Sequence, residues 1–91
     1  MKTFKDLVFK PHSNGIDGTR AVMVFENGYG VSVIAGPMFY TDADHPYELA
    51  VLRNKLLCYD TPITNDVIGH LKGRDVTKYM RQVQELPRVK K

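Results

Sequence analysis

Glu26-Asn27-Gly28-Tyr29 constrains this chain more than any other short stretch of it. Asn-Gly suits both central positions of a type I′ turn, where each residue must take positive φ. β-Forming residues flank the pair on both sides, so the sequence predicts a hairpin with a two-residue loop, residues 20–26 pairing with 29–35. In that register Val24 stands opposite Val31 and Val22 opposite Val33, all on one side of the sheet. Met23, Phe25, Ser32 and Ile34 take the other side, with Gly30 across from Phe25. Both faces are then apolar, which a lone helix cannot cover. The second face needs another layer of chain or a partner protein, and Met23, Phe25 and Ile34 are the candidate protein-binding residues.

The rest of the chain builds around that hairpin. Phe4 to Phe9 alternates loosely and reads as a first, edge strand. Residues 11–18 and 40–46 carry loop chemistry, and Gly36-Pro37 ends the strand before the second of them. Tyr47 to Arg53 and Leu56 to Asp60 form a second hairpin around Asn54-Lys55, with Leu52 opposite Leu57 and Val51 opposite Cys58. Thr61-Pro62-Ile63-Thr64 leaves the sheet, since proline cannot donate in a central ladder. Thr64 is placed to cap a short helical turn through Leu71, broken near Lys72-Gly73. From Arg74 to Leu86, Val76, Tyr79, Met80, Val83 and Leu86 recur at helical spacing, and Pro87 stops the run. The expected fold is α+β: an antiparallel sheet of four to five strands, containing two β-hairpins, with the C-terminal amphipathic helix packed on one face through Val76, Met80 and Val83. One domain spans residues 1–86, and a basic C-terminal tail covers 87–91.

Composition bounds the chemistry. The length of 91 residues leaves room for one domain. The single cysteine, Cys58, has no intramolecular disulfide partner and sits among Leu56, Leu57 and Tyr59, where it reads as a small buried hydrophobe. A reducing cytoplasm is its natural compartment. No apolar run follows the N-terminal lysines, and no window approaches the ~18 apolar residues of a membrane span. The expectation is a soluble cytoplasmic protein without a membrane partner. The net charge of +3 is unevenly placed: seven basic residues from Lys72 onward face only Asp75 and Glu85.

Three constellations invite a chemical reading. Asp42, Asp44 and His45 crowd one loop and offer the donor types of a metal-dependent enzyme, yet they match neither a calcium loop nor a zinc ligand set, so a solvated loop is expected and no metal or cofactor. Asn27-Gly28-Tyr29-Gly30 joins two strands, whereas a phosphate-cradling glycine loop joins a strand to a helix. Arg74, Lys78 and Arg81 fall at i, i+4 and i+7 on the helix and, with Arg88, Lys90 and Lys91, form an alternative nucleic-acid-binding surface. A solvated helix face with a frayed basic tail is the default reading of the same residues, and nucleic-acid binding is not favoured over it. No nucleophile has a positioned base and a stabiliser for developing charge, so no catalytic residues are assigned and a non-enzymatic role is expected.

Taken together, Asn27-Gly28-Tyr29-Gly30-Val31-Ser32-Val33-Ile34, Tyr47-Glu48-Leu49-Ala50-Val51-Leu52 and Cys58-Tyr59-Asp60-Thr61-Pro62-Ile63-Thr64-Asn65-Asp66-Val67 resemble a family of small uncharacterised proteins of tailed bacteriophages. The resemblance runs from about Phe4 to Leu86 and departs from the family at Lys72-Gly73-Arg74, where acidic residues are usual. It implies a phage origin and a role in the host cytoplasm during infection, and it carries no catalytic residues. The expected function is that of an accessory protein that binds another protein, of host or phage, or a second copy of itself. Modulation of a host enzyme or defence system would follow from such binding.

Overall fold

A computed structural model describes residues 1–11, 18–36, 46–54, 56–57 and 68–89. The fold is α+β. Strands β1 (Lys10–Pro11), β2 (Thr19–Val24), β3 (Tyr29–Ala35), β4 (Tyr47–Arg53) and β5 (Leu56–Leu57) lie side by side in chain order in one antiparallel sheet, and β6 (Ile68–Leu71) pairs with β4. β5 and β6 share the edge of β4 that faces away from β3. Helix α1 (Gly73–Gln84) packs on one face of the sheet.

The helix behaves as its periodicity demands. Val76, Met80 and Val83 are fully buried and join Val31, Val33, Leu49, Val51, Phe25 and Leu71 in one core. At its start the Asp75 carboxylate accepts a hydrogen bond from the Lys72 N–H at 2.9 Å, satisfying one of the donors that a helix N-terminus leaves over.

The central hairpin differs from expectation by one residue. β2 and β3 pair Met23 with Val31, Val22 with Ser32 and Val24 with Gly30. The loop therefore holds three residues, Glu26-Asn27-Gly28, closed by Phe25 N–H to Tyr29 C=O at 2.7 Å and Gly28 N–H to Phe25 C=O at 3.1 Å. Only Gly28 takes positive φ there, at 89°, the arrangement of a three-residue loop with a glycine bulge. The physical reason lies outside the hairpin. The Asn27 side-chain amide donates to Val83 C=O at 2.8 Å and Leu86 C=O at 3.1 Å, so the turn is held against the end of the helix. A one-residue slip reassigns cross-strand partners between faces. Met23 and Phe25 share the helix-covered face with Val31 and Val33, while Val22 and Val24 share the outer face with Ser32 and Ile34.

Two further segments depart from the sequence reading. Phe4 to Phe9 is not a strand: Phe4–Asp6 is a 3₁₀ turn whose Asp6 carboxylate accepts from Thr3 N–H at 2.8 Å. That turn lays Phe4 beside Gly73 and against Tyr47 and Phe9, with ring centroids 4.9 and 5.9 Å away. Of the helical turn expected from Thr64 to Leu71, the part from Ile68 to Leu71 is instead β6, which carries a register irregularity against β4 and a positive φ of 57° at His70. The part from Thr64 to Val67 lies outside the described residues. The second hairpin keeps its expected register, Leu52 opposite Leu57 and Arg53 opposite Leu56, with Asn54 at φ 51°. The Val51–Cys58 pairing lies outside the described residues.

Candidate functional site

The hairpin register decides which side chains the sheet presents. Of the three residues expected to form a binding face, Phe25 is buried at 9% exposure in the core and Met23 packs half-buried against it. Ile34 alone stands on the outer face, half-buried. The three do not form one surface, because Phe25 and Met23 are needed under the helix. The outer face instead exposes Val22 at 49% and Val24 at 46%, both on β2. Over β3 and β4 the same face is closed: Ser32, Glu48, Ala50 and Leu52 are all buried. The outer face is thus apolar and open at its β2 margin and, at Leu57 with 56% exposure, at β5 as well.

The backbone of that margin is open too. In an antiparallel ladder, residues alternate between bonding one neighbour strand and the other. Since Phe25 bonds Tyr29, the odd-numbered residues of β2 bond β3, and Arg20, Val22 and Val24 turn their N–H and C=O groups outward. β1 pairs only with Arg20 and Thr19. Among the described residues nothing bonds the outward groups of Val22 and Val24. A shallow groove of about 340 Å³ runs beside Val22, walled by Val8 and Lys10. A second, of about 560 Å³, runs beside Val24 and is walled by Met1, Lys2 and Arg88.

Arg74, Lys78, Arg81 and Arg88 are all exposed, as the helical spacing requires. The Lys78 ammonium lies 5.7 Å from the Tyr79 ring centroid. The fold adds two cations that the sequence kept apart. Phe4 N–H donates to Thr77 Oγ1 at 3.1 Å, and Gln84 clasps the Lys2 backbone through bonds of 2.9 and 2.8 Å. Exposed Lys2 and Lys5 are thereby carried on the segment that flanks the basic stripe. The tail is not frayed at its start, since Val89 N–H donates to Asn27 C=O at 2.8 Å. Asp42, Asp44, His45 and Cys58 lie outside the described residues, and no cluster of three metal-ligating side chains occurs among the described ones.

Comparison with protein families, with curated proteins and with solved structures gives no match. Among the described residues no helix is long and apolar enough to cross a membrane.

Proposed function

We propose that this protein works by binding another protein, and that the contact is made on the β2 margin of its sheet rather than on the residues the sequence singled out. The observation that carries this reading is the pair Val22 and Val24, each about half exposed and adjacent on one face. Two β-branched residues on a strand are normally covered, and exposed Val8 beside them extends the apolar surface. The bacteriophage resemblance supplies the setting: an accessory protein in the host cytoplasm, acting without chemistry of its own by occupying a surface of a host or phage protein. The test is capture of partners from infected cells with wild type and with the V22K/V24K double variant. The variant should lose the partner that wild type retains while melting within a few degrees of it, because exposed substitutions away from packed groups cost about 0.5 kcal/mol or less. Equal capture by both proteins would refute the site.

A second reading draws on the exposed basic stripe Arg74, Lys78 and Arg81, with Lys2 and Lys5 on its flank. If that surface meets nucleic-acid phosphates, oligonucleotide affinity falls steeply with added salt and is lost on charge reversal of the stripe. Binding that vanishes well below physiological salt would count against it.

A further inference from the structure

We infer that the partner binds by strand addition: an extended, apolar and acidic peptide segment pairs with the open edge of β2 at Val22 and Val24. This rests on the proposed protein-binding role and names its chemistry. The outward N–H and C=O groups of these two residues form an unfinished ladder, and an unfinished ladder is a template for another extended backbone. β1 begins only at Lys10, opposite Arg20, so it does not extend along the edge to Val22 or Val24. The chain before it contributes Val8 as a groove wall with no bond to Val22. Gly30, opposite Val24, holds the two strands close and leaves the outer face flat at that point.

Charge narrows the occupant. Lys10 and Arg20 line the groove at Val22, and Lys2 and Arg88 line the one at Val24. Among the described residues Glu26 is the one carboxylate lining either groove. A strand with β-branched residues at alternate positions and carboxylates at its ends satisfies backbone, valines and cations together.

The test uses the full chain, labelled with ¹⁵N, and the blocked peptide Glu-Thr-Val-Thr-Val-Thr-Glu. Saturating peptide should slow amide exchange at Val22 and Val24 by about tenfold or more, while Met23, already bonded to β3, changes little. Two substitutions at one position separate backbone from side chain. Proline is tolerated on an edge strand where its nitrogen faces solvent, so V24P removes the outward donor and leaves the inner ladder whole. Strand addition requires that V24P and V24K both lose the peptide. Loss with V24K but retention with V24P would overturn strand addition and leave the valine-face reading standing. Unchanged exchange at Val22 and Val24 under saturating peptide overturns the inference without recourse to any variant. Protection of the same amides that grows with protein concentration alone would place a second copy on the edge and overturn the peptide occupant.

Discussion

Asn27 ties the central hairpin to the end of α1 and to the segment just after it. Its side-chain amide serves the last carbonyls of α1, its side-chain oxygen accepts from Tyr29 N–H at 3.1 Å, and its backbone carbonyl holds Val89. Carbonyls at a helix end have no partner within the helix, so a fixed amide there replaces water at no cost in chain length. Truncation to alanine removes every side-chain bond, so the Leu86 carbonyl loses this donor and the Val83 carbonyl keeps Leu86 N–H, at 3.2 Å. N27A is expected to lower stability by about 1–3 kcal/mol, seen as an earlier urea midpoint with an unchanged slope. Gly30 matters for closeness rather than for φ. A Cβ there would sit 2.4 Å from the Met23 carbonyl oxygen and 3.1 Å from Val24 Cα. G30A must therefore push β2 away from β3, and a loss of about 1–3 kcal/mol is expected. An alanine variant as stable as wild type would mean that the strands do not approach as described.

At the scale of elements, the helix carries the core. Met80 has no exposed surface and lies between Val76 and Val83, so M80A should cost about 2–5 kcal/mol. K78A, on the opposite side, should cost no more than about 0.5 kcal/mol. Chemical denaturation of the two variants side by side checks the orientation of the helix. This element was legible in the sequence because its apolar spacing, its polar face and Pro87 all agree. The second hairpin was legible because a two-residue loop fixes the register of its strands. β6 was not, and the reason is geometric. Ile68 and Leu71 stand three apart, a helical spacing, and a regular strand would send them to opposite faces. The irregularity between them, with His70 at positive φ, turns both toward the core. The N-terminal turn was missed for a different reason. The apolar run Leu7-Val8-Phe9 suggested a strand, while the Thr3 to Asp6 spacing, the mark of a capped turn, outweighed it.

For the molecule as a whole, the hairpin register sets what the protein can do. The Asn-Gly pair announced a turn, and the sequence alone favoured its tightest form. The Asn27 bonds to the helix end, which no local pattern reveals, select the three-residue loop instead. That single step sends Met23 and Phe25 into the core and leaves Val22 and Val24 on the outer margin. An account of function built on the expected register would mutate buried residues and mistake unfolding for lost binding. In the described sheet one face is filled by α1, and the other is closed over β3 and β4 and open at β2 and at Leu57 of β5; the binding proposal stands on the two adjacent valines of β2. Antiparallel partners outside hydrogen-bonded pairs bring their α-protons together, with Cα atoms about 4.5 Å apart, and the nuclear Overhauser effect between those protons therefore reads the register directly. The described structure requires strong α-proton contacts between Val22 and Ser32 and between Val24 and Gly30, whereas contacts of Met23 with Ser32 and of Phe25 with Gly30 would restore the two-residue loop and contradict the assignment of the valine margin.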